Sequence, residues 1–318
     1  MTTYIIRRLL WAIIVLLLVV TFVFFAMRLL PGDPIRMLVT QSQEAQFSEE
    51  QIEALRIKNG LDKPLIVQYF NWISNVARGD LGRSILSHAP VIDQINHRIP
   101  VTLYLGILSF LISIIVGVPA GIISAVRRGS WLDTIVTTLA NLGITVPTFW
   151  LGVILMYVFG LYLDWLPVMG YTSPFKDFWM SIRQAIMPVF CLAIFPIAGN
   201  ARQTRSAMLE VMHQDFIRTA WSKGLRERSI VIKHALKNGM IPVVTLIGAG
   251  VGQILGGSVL IEQVFAIPGM GRLALSSVIN QDYPYVQAVI LIIAATTLLA
   301  NLVVDLAYGW LDPRIRYE

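Results

Sequence analysis

The chain has 318 residues, 56% of them hydrophobic and only 14% charged, with a mean hydropathy of +0.68. These values exclude a soluble protein of one or two domains and indicate a polytopic helical membrane protein, because about 20 apolar residues at 1.5 Å rise cross the hydrocarbon layer. The net charge of +6 sits on residues that flank apolar runs, which argues for membrane orientation and contact with anionic membrane lipid, and against a nucleic-acid partner.

Arg7 and Arg8 precede an apolar run from Leu9 to Leu30. A secretory signal would carry an apolar core of only 7–15 residues and a small-residue cleavage site. Residues 1–30 are therefore read as a cytoplasmic N-terminus and a retained first span, with Arg28 snorkelling at the outer interface. Residues 31–100 are the largest polar segment and are expected to be extracytoplasmic. Ser48 and Gln51 form a capping box that opens a helix running to Asn59 and stopped by Gly60. Leu61-Asp62-Lys63-Pro64-Leu65 reads as a turn into an amphipathic helix around Ile66 to Val76, and Gly79-Asp80-Leu81-Gly82 as a break. This segment is too small to fold well without the spans.

Residues 101–318 read as the membrane core, with further spans at about 101–123, 134–160, 184–200, 240–261 and 285–309. The fourth is short and holds Pro188 and Pro196. Six spans place both termini on one side. The proposed cytoplasmic pieces carry Arg7, Arg8, Arg127, Arg128, eight Lys or Arg between Arg202 and Lys237, and Arg314 and Arg316, against Lys176, Arg183 and Arg272 in the short outer loops. Fourteen against three places both termini in the cytoplasm. Gly117 and Gly121, and Gly248, Gly252 and Gly256, recur at four-residue steps that let helix backbones approach closely.

One interruption in the apolar sequence stands apart. The cytoplasmic loop 201–239 is basic yet amphipathic: Leu209, Met212, Phe216 and Ala220 recur at steps of three and four, with Ile217 and Trp221 one position over. That is helical spacing with an apolar stripe. Gly224 suits a left-handed cap, and Pro242 the first turn of a new helix. A solvated loop has no need of Phe216, Ile217 and Trp221 together, so the stretch reads as a docking surface.

The sequence holds no HExxH pair, no G-x-S-x-G elbow and no GxxxxGK[ST] phosphate loop, so it offers no site for an enzyme or a nucleotide. His88, His97, His213 and His234 lack metal-ligand spacing, and the single Cys191 permits no internal disulfide. Glu262 and Asp305 lie near span ends. Asn141, Asn200, Gln253 and Asn301 are candidates to line an aqueous path or to bridge helices. A membrane protein with no energy source and a docking-shaped loop is a transport subunit driven from that loop. A membrane-embedded enzyme would need paired catalytic residues at membrane depth, and a lone secondary transporter inverted repeats, broken helices and an ionisable midplane site.

The loop resembles the EAA coupling loop of binding-protein-dependent ABC importer permeases, in the Arg-Thr-Ala version of the dipeptide/oligopeptide family: Arg218-Thr219-Ala220, Lys223-Gly224-Leu225 and Ile241-Pro242-Val243-Val244. The resemblance runs along nearly the whole chain. It takes in Arg7-Arg8-Leu9, Leu30-Pro31-Gly32-Asp33-Pro34, Gly60-Leu61-Asp62-Lys63-Pro64, Gly79-Asp80-Leu81-Gly82, Glu262 with Val264-Phe265, Pro268-Gly269 and Gly271-Arg272-Leu273, Asp282-Tyr283-Pro284, Asn301 to Asp305, Tyr308, and Asp312 to Tyr317. Trp221 departs from it, because relatives commonly carry a smaller or basic residue there.

The resemblance implies an all-α, six-helix type I importer permease of the B-type, in the bacterial inner membrane, with an extracytoplasmic segment between helices 1 and 2. Its implied partners are a second, C-type permease, one or two ABC ATPase subunits that bind ATP and Mg, and an extracytoplasmic binding protein. The chain itself would bind no cofactor or metal and catalyse nothing. Asp215, Phe216, Ile217, Arg218, Thr219, Ala220, Trp221, Lys223, Gly224 and Leu225 would contact the ATPase, with Phe216, Ile217 and Trp221 as anchors. Glu262, Phe265, Pro268, Gly269 and Arg272 would face the binding protein, and Asn141 and Gln253 the pathway. Peptides are the implied cargo; glutathione and nickel chelates use similar permeases.

Overall fold

The computed structural model describes residues 2–29, 32–41, 48–256 and 258–311. The motif from Asp312 to Tyr317 and the side chains of Gln253 and Asp305 lie outside what it describes. Among the described residues the regular structure is helical, with one isolated antiparallel bridge between Arg83 and Pro90.

In chain order the helices are α1 (Thr2–Leu29), α2 (Pro34–Gln41), α3 (Glu49–Lys58), α4 (Leu65–Ala77), α5 (Val91–Val126), α6 (Trp131–Thr145) and α7 (Thr148–Leu155), the last continued by a π-helical stretch Met156–Tyr162. Then come α8 (Phe178–Met212), α9 (Asp215–Ser222), α10 (Glu227–Ser229), a π-helical stretch Ile230–Ala235, α11 (Leu236–Val251), α12 (Gln253–Gly256), α13 (Val259–Val264), α14 (Met270–Ile279) and α15 (Tyr283–Leu311). Among the described residues five helices are long and apolar enough to cross a membrane, and the α6–α7 pair, bent by 103°, makes a sixth if counted as one broken span.

The third span is therefore not the straight helix expected at 134–160. Its break is written in Val146-Pro147: the residue before a proline is pushed out of the helical region, and Val146 is extended at φ −73°, ψ 124°. The fourth span is longer than expected, Phe178–Met212, and runs straight through Pro188 and Pro196. Pro242 likewise lies inside α11 and does not open a new helix. Prolines are tolerated within membrane helices where neighbours satisfy the freed carbonyls. Because α11 ends at Val251, Gly248, Gly252 and Gly256 do not share one helix face.

The chain divides into two compact units. Of the described residues, the first comprises those within 2–102 and 268–302, the second those within 103–267 and 303–311. In the first, the capping box at the start of α3 is formed: the Ser48 hydroxyl accepts from Gln51 N and the Gln51 side chain accepts from Ser48 N. Gly60, at φ +66°, lies in the turn that follows α3. α4 packs along α1, with Trp72 stacked on Phe24 at 5.8 Å and the Tyr69 hydroxyl 2.7 Å from Thr21 Oγ1. Met27, Ile35, Ile52, Ile85, Tyr283 and Val286 form one buried cluster, and Val91, Ile95, Met270, Leu273 and Val289 lie in another. Asp282 ties them locally, accepting from Ser84 Oγ and from the Ile85 amide. Burial pushes its carboxyl above the ordinary aspartate range, and the Ser84 hydrogen bond opposes that shift.

In the second unit, α8 is the central post. Gly117 and Gly121 of α5 face it so closely that a Cβ on Gly117 would fall 2.7 Å from the Ile197 carbonyl oxygen, and one on Gly121 would strike the Ala201 carbonyl. Their spacing thus serves packing within the chain. Gly143 of α6 abuts Ile194 and Ala198 on the same helix. Asn200, buried, donates from Nδ2 to Ser113 Oγ and to the Ser113 carbonyl, each at 3.3 Å, bridging α8 to α5.

Candidate functional site

α9 begins at Asp215, in its first turn, and ends in a two-bond cap. The Gly224 amide donates to the Trp221 carbonyl at 2.9 Å and the Leu225 amide to the Ala220 carbonyl at 3.4 Å, with Gly224 at φ +73°. This is the Schellman pattern, in which glycine adopts the left-handed position without a Cβ penalty. At the other end, α8 stops at Met212, so only His213 and Gln214 separate the long span from the short helix.

The apolar stripe of α9 splits into two rows. Ile217 is 1% exposed and Ala220 is buried, sharing a cluster with Ala125 of α5, Met208 of α8, and Ile230, Val231 and Ala235 of the π-helical stretch. Phe216 at 43% and Trp221 at 46% exposure point outward, joined by the partly exposed Leu225. Arg218 pairs with Asp215 at 3.6 Å on the surface, and Lys223 and Thr219 are exposed beside them. Ile217, expected as an anchor for a partner, is a correction: its side chain is spent on holding α9 to its own bundle, where burial contributes about 1.5–3 kcal/mol. What remains outside is an apolar ridge with a charged rim.

A second device fixes the same region. The Asp133 carboxylate, on the first turn of α6, accepts from Ser124 Oγ at 2.5 Å and the Gly129 amide at 2.9 Å. The guanidinium of Arg205 on α8 grips it bidentately, Nε at 2.7 Å and Nη2 at 2.9 Å. Every contact is charge-assisted and the carboxylate is nearly enclosed, so the α5–α6 turn is locked to α8 about two turns before that helix ends. Sequence reading missed this pair. The local signal was present in Ser130 capping the amide of Asp133 three residues on, but Arg205 lies 72 positions away.

Away from these contacts, a cavity of about 370 Å3 opens within the second unit. α5 contributes Ser109, Phe110 and Ser113, and α8 contributes Phe195 and Asn200; Gly250 and Ser258 come from the segment after Pro242. It is apolar with a few hydroxyl and amide groups, as ligand cavities are. Asn200 thus both bridges helices and faces the cavity. Asn141 is exposed and does not line it. Asn301 is exposed.

Of the residues expected to face a binding protein, Glu262 and Phe265 are almost wholly buried in the second unit, with Ser258 Oγ donating to Glu262 Oε1 at 2.7 Å. In the first unit Gly269 is buried, Arg272 is half-buried and Pro268 is exposed. For the buried three, contact with a partner would require a rearrangement of the chain. Among the described residues no group of His, Cys, Asp and Glu is placed to hold a metal.

The sequence from 117 to 317 matches the family model described as binding-protein-dependent transport system inner membrane component, and residues 1–106 match the N-terminal model of the same system. Over 319 residues the chain is 43% identical to a protein of Brucella abortus (strain 2308), provisionally named a peptide transport system permease, with both chains covered in full. It is equally 43% identical, over 318 residues and again the full length of both, to the glutathione transport system permease protein of Escherichia coli (strain K12). Among solved structures, one of the inward-facing conformations of the MetNI methionine ABC transporter superposes with a TM-score of 0.52 at 17% identity, covering 69% of this chain and 95% of that one. That likeness shows the fold.

Proposed function

The chain belongs to the binding-protein-dependent transport family of inner-membrane components, the multi-pass permeases of ABC importers, and from that premise we propose that its cargo is short peptides and that its drive enters at α9. The observation that carries the reading is the split stripe of α9: Ile217 and Ala220 root the helix in the bundle while Phe216 and Trp221 stand out to be gripped. In this reading two ABC ATPase subunits bind ATP and Mg, one of them seats α9 in a groove, and their closure moves α9 as a lever. A second permease completes the path, and the cavity beside Asn200 belongs to it. An extracytoplasmic binding protein delivers cargo and meets the segments 31–100 and 262–284. Both termini are cytoplasmic, on the charge distribution of the short loops.

Glutathione is the second reading, favoured by the equal identity to the glutathione permease. It is itself a short peptide, so both readings ask for the same kind of path. The test is purification of the tagged chain from native membranes in mild detergent, with uptake measured in parallel. ATPase subunits and a second permease co-purify with wild type. Phe216→Ala with Trp221→Ala loses the ATPases while the chain stays folded, since exposed substitutions change stability by about 0.5 kcal/mol or less. Retention of the ATPases by the double variant would sink the α9 assignment. Uptake of labelled dipeptide that glutathione does not compete, or the reverse, decides the cargo.

A further inference from the structure

The first unit contains a polar cavity of about 540 Å3, lined apart from Arg28 and Gln287 by residues of the segments proposed to meet the binding protein. Its wall carries Arg28, Lys58, Lys63, Arg83 and His88, and no Asp or Glu. Lys58, Lys63 and Arg83 are exposed and, among the described residues, none is in an ion pair. Arg28 is held in place by its guanidinium lying 3.5 Å over the Phe24 ring and by a hydrogen bond from Nε to Gln68 Oε1 at 3.1 Å. No carboxylate stands in the wall itself, although Asp282 lies behind it on Ser84 and Ile85; cations set side by side repel one another, and a bound anion offsets that repulsion.

An independent observation points to a ligand. Gln287, only 3% exposed, lines the same cavity, and its amide Nε2 has no hydrogen-bond partner. A buried donor left unmet costs about 1–3 kcal/mol, so a native structure tends to fill that position with an acceptor.

The cavity's place in the fold indicates which acceptor. Arg28 lies in the last turn of the first span, and Tyr283, Pro284 and Gln287 in the first turns of the last span. Span ends mark the bilayer–water boundary. α4 supports the same level. Gln68, Asn71, Trp72 and Asn75 recur at steps of three and four and line the cavity, while Ile66 and Phe70 lie on the opposite face and are exposed. Tyr69 beside Thr21 sets α4 against α1 about 12 Å from the end of that helix, at 1.5 Å per residue. An amphipathic helix at that depth turns its apolar face to acyl chains and its polar face to headgroups. A volume of this size suits a whole headgroup, where a bare oxyanion would leave most of it empty.

We infer that this cavity binds the phosphate and headgroup of an anionic phospholipid, with Lys58, Lys63 and Arg83 supplying charge, and Gln287 and the α4 amides supplying polar contacts. The inference is independent of which cargo the transporter carries.

The test is native mass spectrometry of the full-length chain in detergent, titrated with phosphatidylglycerol and with phosphatidylcholine of the same acyl chains. Wild type retains one phosphatidylglycerol with roughly tenfold preference, which is about 1.4 kcal/mol. Lys58→Ala with Arg83→Ala brings the two lipids to near parity, and Lys58→Arg with Arg83→Lys restores the preference. Arg127→Ala with Arg128→Ala, which removes two charges elsewhere, leaves it intact. Equal binding of the two lipids by wild type, or an unchanged preference in the Lys58/Arg83 double alanine variant, overturns the inference. Displacement of phosphatidylglycerol by excess inorganic phosphate also overturns it, by making the cavity a site for free oxyanion. All four altered positions are on exposed residues, so the folded fraction, checked by circular dichroism, is expected to stay at wild-type level.

Discussion

Gly224 tests the lever most directly, because its substitution changes backbone energy and nothing else. It sits at φ +73°, and a Cβ built there meets no heavy atom within 4 Å. Gly224→Ala therefore adds no clash, only the left-handed penalty of about 1–2 kcal/mol. That shifts the population of the formed cap by a factor of about 5–30. α9 has eight residues, too few to persist on intrinsic helicity, so a weakened cap frays Trp221 and Leu225. Asn, which tolerates the left-handed region, is milder, and β-branched Val is worse. Hydrogen exchange at the Gly224 and Leu225 amides, both bonded to α9 carbonyls, is expected to quicken in the order Gly, Asn, Ala, Val. Cargo moved per ATP hydrolysed in the reconstituted complex falls in the same order. Wild-type exchange and coupling in Gly224→Val would refute the claim that this cap holds the lever in shape.

Two further predictions concern charge. Arg205→Met strands the enclosed Asp133 carboxylate with only Ser124 and Gly129 and is expected to destabilise by about 3–5 kcal/mol, read as a drop in Tm. Adding Asp133→Leu recovers most of it, and additive losses in the double variant would show that the two residues do not act as a pair. In the first unit, burial raises the Asp33 carboxyl, but hydrogen bonds from the Arg56 guanidinium and the Ile35 amide outweigh it and leave Asp33 below its ordinary value of 3.8. A depressed carboxylate stabilises the fold above its ordinary pKa, and that contribution is lost as pH falls through the lower folded value. Asp33→Asn should flatten the acid limb of the Tm-against-pH curve below about pH 4, and an unchanged limb would discount the pair.

Several features were legible because they are local. The Ser48/Gln51 box, the stop at Gly60, the cap at Gly224 and the close approach at Gly117 and Gly121 each depend on residues within one helical turn or on one missing side chain. The apolar stripe of 209–221 announced helical structure but not the break at His213 and Gln214 that divides it between α8 and α9. It did not reveal which row turned inward, because Ile217 and Phe216 differ by 100° of rotation and only tertiary packing selects between them. The break at Val146-Pro147 was hidden inside a continuous apolar run, while Pro188, Pro196 and Pro242 suggested interruptions that α8 and α11 do not make. Proline breaks a helix only where no neighbour compensates, and neighbours are not visible in sequence. The Asp133–Arg205 lock and the cavity of the first unit join residues tens to hundreds of positions apart, so no spacing rule points to them.

The division of labour on α9 constrains how force can pass. Peeling the helix from its bundle would expose Ile217, Ala220 and part of Met208, and Ile217 alone contributes about 1.5–3 kcal/mol. Phe216 and Trp221, once covered by a partner, give purchase of similar size on the other side. A partner that moves therefore carries with it whatever shares the inner cluster: Ala125 at the end of α5, Met208 on α8, and Ile230 and Ala235 leading into α11. The Asp133–Arg205 lock adds the start of α6 to the same set. Four span ends are then coupled to one eight-residue helix, and displacing it by a few ångströms reorients them together. If Ile217→Ala, which loosens the root without touching the ridge, leaves ATPase binding intact but lowers transport per ATP, force travels through this cluster. If binding and coupling both stay at wild-type level, the connection runs elsewhere.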